Sequence, residues 1–139
     1  MFAFEKNLTK KEPSIKAIKN KNKGLNIFKL VGEADIGQSL IIQNELVLGI
    51  ECIEGTDELI KRTSEYKKEG DQGVLIKLSK YNQHNKVDLP TIGLKTVKLL
   101  FENEYEGVFV EKNKCLILEK EKVIDFCNKN KLFISTLDK

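Results

Sequence analysis

Two short acidic segments hold the residues best suited to chemistry. The first, Glu51-Cys52-Ile53-Glu54-Gly55-Thr56-Asp57-Glu58, sets four carboxylates within eight residues, with Gly55-Thr56 between them at the expected start of a helix. A helix start exposes unpaired N–H groups and a partial positive charge, which suits a phosphate. Carboxylates at the same point suit magnesium, which typically takes one or two protein carboxylates and leaves its other positions to water and phosphate. An acidic first turn also simply complements the helix dipole, and that bland reading stays open. The second segment is Asp88-Leu89-Pro90-Thr91-Ile92-Gly93. Pro90 holds Leu89 extended and stiffens the backbone beside Asp88, so the aspartate suits a metal ligand or a proton acceptor from water, with a capping or turn role as the alternative. Between the two segments, Val74-Leu75-Ile76-Lys77-Leu78-Ser79-Lys80 brings Lys77 and Lys80 to a strand end. Lysine is a compact point charge suited to phosphate, although such a pair can also be merely solvated. Gln38, Gln83 and Thr91 add donors for an oxygen-rich ligand, each with a structural role as its ordinary reading.

The elements that must position these groups alternate between strand and helix. Pro13 suits a first helical turn, and Ile15, Ile18, Leu25, Phe28 and Val31 recur at roughly helical spacing, with Gly24 dividing the segment into one helix or two. Residues 38–43 and 46–51 are apolar runs joined by Asn44-Glu45, which predicts an antiparallel hairpin buried on both faces. A helix is expected over 57–69, stopped by Gly70, then a strand over 73–78 and a polar loop from Ser79 to Val87. Gly93 opens a third helix with Leu94, Val97, Leu100 and Phe101 on one face. Strands at 107–111 and 115–118 joined across Lys112-Asn113-Lys114, a helix at 120–129 and a strand at 132–135 complete the pattern. The expected fold class is α/β, a mixed sheet with flanking helices in a single domain, with two hairpins. Residues 1–37 form an N-terminal helical segment leading into the domain, and 38–139 the domain itself.

Composition narrows the function classes. At 139 residues and 40% hydrophobic content the chain can bury a core, which argues against disorder. The cysteines Cys52, Cys115 and Cys127 are isolated and lack metal-ligand spacing, so buried free thiols are expected. Residues 1–29 hold eight lysines and two glutamates. Nucleic acid is disfavoured as a partner, because Arg62 is the only arginine and no aromatics interleave with the lysines. No apolar run resembles a signal peptide or a membrane span, so a cytoplasmic protein is expected, with peripheral contact at the inner membrane open to it. His84 sits among Asn and Gln without a partner, and Gly-x-Ser-x-Gly, Walker and Gly-x-Gly-x-x-Gly motifs are absent.

Asp35-Ile36-Gly37-Gln38, the Glu51–Asp57 segment, Val74–Lys80 and Asp88–Gly93 together resemble the C-terminal domain of the LpxI-type UDP-2,3-diacylglucosamine pyrophosphatases, in the family's order, from about Leu8 to about Ile134. The resemblance implies a lipid A biosynthetic step in a Gram-negative cell: magnesium-dependent hydrolysis of the pyrophosphate of UDP-2,3-diacylglucosamine to UMP and 2,3-diacylglucosamine 1-phosphate. It implies Asp88 as the essential aspartate and metal ligand, Glu51, Glu54 and Asp57 as magnesium or geometry residues, and Lys77 and Lys80 on the pyrophosphate. Gln38, Gln83, Thr56 and Thr91 are implied as further substrate contacts. The family carries an N-terminal Rossmann-like domain with no counterpart here, so the expectation is the C-terminal half of a split or truncated enzyme, working with a separately encoded half. A non-catalytic remnant, or a module binding phosphate or a lipid head group, is the alternative. Tyr81 stands where the family has proline, His84 where an acid is common and Lys86 where arginine is expected; lysine lacks arginine's bidentate grip on phosphate.

Overall fold

Runs of Val, Ile and Leu form the centre of the molecule, and helices close over both faces of the sheet they build. The computed structural model describes residues 6–31, 39–81 and 87–138, and for residues 80, 81, 87 and 88 it describes the backbone. The elements in chain order are α1 (Ile15–Val31), β1 (Ser39–Gln43), β2 (Leu46–Ile50), α2 (Thr56–Thr63) with a short 3-10 turn (Ser64–Tyr66), β3 (Val74–Lys77), β4 (Lys80–Tyr81), β5 (Val87–Asp88), β6 (Thr91–Ile92), α3 (Leu94–Glu102), β7 (Gly107–Glu111), β8 (Leu116–Ile117), α4 (Lys120–Asn130) and β9 (Phe133–Leu137). The main sheet has the order β2-β1-β3-β7-β9. Strands β3, β7 and β9 are parallel, and β1 is antiparallel to both β2 and β3. This is the expected single-domain α/β fold with a mixed sheet.

Side-chain alternation sorts the core into two layers. Leu40, Ile42, Val74 and Ile76 face α1, where they meet Ala17 and Phe28. Ile41, Leu75 and Val108 face the other way, toward Leu59 and Ile60 of α2, Val97 and Leu100 of α3, and Val123 and Cys127 of α4. Each fully buried Leu or Ile contributes about 1.5–3 kcal/mol relative to exposure. The same alternation sends Lys77, two residues beyond Leu75, out on the α2/α3 side at the C-terminal end of β3. Its register partner on β1 is Ser39.

The β1–β2 hairpin turns through Asn44 (φ 54°) and Glu45 (φ 59°), both left-handed as the tightest hairpin turn requires. Its backbone N–H groups are held by Asp71 Oδ2 (3.0 Å) and Asn20 Oδ1 (2.8 Å). β1 is buried throughout, but β2 is an edge strand with Leu46 66% exposed, so burial on both faces holds only for the first arm.

The second expected hairpin does not form. β7 has β3 on one edge and β9 on the other, which leaves no free hydrogen-bonding edge for residues 115–118. β8 instead pairs in parallel with β6. The loop from Ser79 to Val87 begins and ends in the antiparallel β4–β5 ladder, and residues 82–86, including Gln83 and His84, lie outside the described residues.

α1 is one helix. Ser14 rather than Pro13 starts it, its Oγ accepting the Ala17 N–H at 3.1 Å. Its buried residues are Ala17, Asn20, Gly24 and Phe28, whereas Ile15 and Ile18 face solvent. Gly24 sets this rotation: a Cβ there would lie 2.3 Å from Ile76 Cδ1 and 3.0 Å from Ile42 Cδ1, so the missing side chain lets the helix sit close to the sheet. All three cysteines are free; Cys115 and Cys127 are buried as expected, but Cys52 is exposed because its loop stands clear of the sheet. No helix among the described residues is long and apolar enough to cross a membrane.

Candidate functional site

The C-terminal end of β3 delivers Lys77 between the starts of two helices. Its ammonium donates to Thr56 Oγ1 at 2.9 Å and to the Thr91 carbonyl at 2.8 Å. Thr56 is the first residue of α2, and Thr91 stands three residues before α3. Asp57 Oδ1 accepts a hydrogen bond from Thr96 Oγ1 at 2.9 Å, tying the first turns of α2 and α3 together. Both helices begin at glycine, Gly55 and Gly93, and neither start has a side-chain cap. Gly55 takes φ 86°, a region glycine enters freely, as the chain turns from the acidic loop into α2. The first turns of both helices thus keep backbone N–H groups without a side-chain cap, and Lys77 touches the first residue of α2 and the strand that leads into α3.

Glu51 completes the cluster. Its carboxylate accepts a short hydrogen bond from the Thr56 hydroxyl and one of 3.3 Å from Ser39 Oγ. Ser39 and Thr56 hydroxyls are 3.2 Å apart. Sequence reasoning missed Ser39, because only the pairing of β1 with β3 brings it beside Lys77; the one trace of it is a polar residue opening an apolar strand. Thr96 and Cys115 were missed for the same non-local reason.

Burial lowers the pKa of Lys77 below the ordinary 10.5, while the nearby Glu51, Cys115 and Asp57 act in the opposite direction. Burial also raises the Cys115 thiol to about 11, although the Lys77 charge favours its thiolate. Cys115 is thus a neutral wall of the site at neutral pH.

Of the residues singled out from sequence, Glu51, Thr56, Asp57 and Lys77 come together. Thr91 joins them through its carbonyl oxygen. Lys80 and Asp88 are backbone register partners in the β4–β5 ladder, three residues from Lys77 and from Thr91 respectively. Glu54 takes a different direction: its carboxylate pairs with Arg62, at 3.1 Å to Nε and 2.9 Å to Nη2. A hydrogen bond to its own backbone N–H, followed by the Arg62 guanidinium, holds Glu54 below the usual carboxylate range. Gln38 and Gln83 lie outside the described residues.

The donor chemistry fits a hard cation. Glu51 and Asp57 offer carboxylate oxygens, and the neighbouring hydroxyls are oxygen too. Among the described residues no three His, Cys, Asp or Glu side chains gather into a metal set. Magnesium does not need such a set, since it dehydrates reluctantly and takes its remaining positions from water and phosphate.

The chain is 31% identical over 137 residues to the UDP-2,3-diacylglucosamine pyrophosphatase LpxI of Caulobacter vibrioides, a match covering 94% of this chain and 49% of the relative. The chain therefore spans about half the length of the curated relative it matches. The LpxI C-terminal domain family matches residues 5–135, nearly the whole chain, and the chain belongs to that family.

Proposed function

We propose that this chain forms the C-terminal half of a magnesium-dependent hydrolase that cleaves the pyrophosphate of UDP-2,3-diacylglucosamine to UMP and 2,3-diacylglucosamine 1-phosphate, a step of lipid A biosynthesis. Family membership and the activity in the relative's name support this reading. The observation that carries it is the Lys77 ammonium, buried between two uncapped helix starts with Glu51 one hydroxyl away.

In this reading Lys77 and the first-turn N–H groups of α2 and α3 bind the pyrophosphate oxygens and stabilise the charge that grows during displacement. Lys80 adds a second positive charge from the β4 side. Asp88 orients the attacking water and accepts its proton at a carboxylate oxygen. Thr56 aligns Lys77 with Glu51, while Gln38, Gln83 and Thr91 shape the substrate's surroundings. Asp88, Glu51 and Asp57 would hold the magnesium ion, and Glu54, through Arg62, fixes the loop that carries Glu51. When bound, the ion supplies Lewis-acid polarisation of a phosphoryl oxygen.

The test combines this chain with the part of the Caulobacter relative that lies outside the match, magnesium and UDP-2,3-diacylglucosamine, and follows UMP release. Turnover by the mixture that Asp88→Asn abolishes, with the variant's circular dichroism unchanged, is the expected result. Full turnover by Asp88→Asn, or none by a well-folded mixture, would overturn the proposal.

A further inference from the structure

The outward face of α1 carries lysines without carboxylate neighbours on the helix. The helix carries no acidic residue, and its lysines Lys16, Lys19, Lys23 and Lys29 are exposed. Among the described residues none of these four has an ion-pair partner. On α2 and α4 the pattern is the opposite: Lys61 pairs with Glu58, Arg62 with Glu54, Lys122 with Glu119 and Lys129 with Asp125. Asp71 and the backbone of Glu45 reach Asn20, on the buried side, so they leave the outward charge unneutralised.

Three aliphatic side chains share that face: Ile15 is 77% exposed, Ile18 41% and Leu30 85%. At 3.6 residues per turn they lie on one side with Lys19 and Lys23, along a helix of 17 residues, about 25 Å long. A basic face with aliphatic tips fits a layer of anionic head groups: lysine heads stay in the charged layer while the aliphatic ends enter the acyl boundary. The face has no arginine for bidentate phosphate readout and no aromatic for base stacking, which disfavours nucleic acid. A second copy would bring like charges together.

We propose that the outward face of α1 docks this chain on an anionic lipid bilayer. The inference does not rest on the hydrolase reading, since a chain without turnover would dock in the same way.

Vesicle flotation of the full chain tests it, with phosphatidylcholine alone and mixed with phosphatidylglycerol. Binding is expected only to the mixed vesicles, weakening as salt rises. The triple variant Lys16→Gln/Lys19→Gln/Lys23→Gln should weaken it on the order of a hundredfold, about fivefold per lysine. Ile15→Ser/Ile18→Ser should also weaken it while leaving the salt dependence unchanged. The pair Lys122→Gln/Lys129→Gln on α4 should have little effect. Failure to float with the mixed vesicles, equal flotation with phosphatidylcholine alone, equal loss in the α1 and α4 variants, or capture by a DNA duplex in place of vesicles would each overturn the proposal. All substituted positions are exposed, and an unchanged melting temperature confirms that the variants are folded.

Discussion

Replacing Lys77 by methionine separates what the lysine does for chemistry from what it does for the fold. Lys77 is 7% exposed, and two of its three ammonium N–H groups go to Thr56 Oγ1 and the Thr91 carbonyl. In the proposed function the third meets a phosphate oxygen. Losing one such preorganised contact costs about 2.7–4 kcal/mol of transition-state stabilisation, a fall of about 10²–10³ in kcat. Stability follows a different balance. Two hydrogen bonds from a charged donor are lost, about 1.5–3 kcal/mol each, but the unfavourable burial of an ammonium is removed and methionine nearly fills its volume. The net should lie within about 2 kcal/mol in either direction, a shift of a few degrees in Tm for a domain of this size. UMP release by the mixed assembly and a urea titration of the chain alone measure the two quantities separately. Turnover within about threefold of the parent would refute the phosphate role of Lys77, because an oxyanion contact cannot be removed so cheaply.

Further outcomes follow from the same geometry. The folded pKa of Lys77 lies below its unfolded value of 10.5, so between the two the lysine binds more protons in the unfolded chain and its own contribution to stability rises with pH. Urea titrations across that alkaline window should give the parent a more positive slope of stability against pH than Lys77→Met, on a background that Cys115 and Cys127 make fall because burial keeps their thiols protonated, while turnover, which needs the ammonium, falls. Glu51→Gln should lower turnover at least about tenfold and Glu54→Gln change it by less than about threefold, since Glu54 faces Arg62; the reverse order would move the site to the loop's outer face. Gly107→Ala should destabilise by about 1–3 kcal/mol in urea, because a Cβ there would stand 2.4 Å from the Phe133 carbonyl oxygen; a neutral result would mean β7 and β9 can separate freely. A thiol reagent should modify Cys52 at once and Cys115 and Cys127 only on unfolding, as burial keeps those two neutral, at about 11 and about 12; fast reaction of all three would contradict the core packing.

What the sequence alone determined was local. Asn44-Glu45 between two apolar runs specified a two-residue hairpin, Gly93 before Leu94 specified a helix start, and the acids ahead of Thr56 were legible because chain order places them there. Tertiary structure decided everything that depends on which edges and faces meet. Periodicity shows which side of a strand is apolar, not which strand lies beside it, so the place of β7 between β3 and β9 and the pairing of β8 with β6 could not be read in advance. Ser39 became part of the site only through its register with Lys77 across β1 and β3. Glu51 and Glu54, three residues apart in one acidic run, point to Thr56 and to Arg62 because different neighbours offer each carboxylate its hydrogen bonds. Gly24 reads in sequence as a weak point of α1, yet it is where the helix comes closest to the sheet; what a missing side chain makes room for depends on atoms distant in the chain.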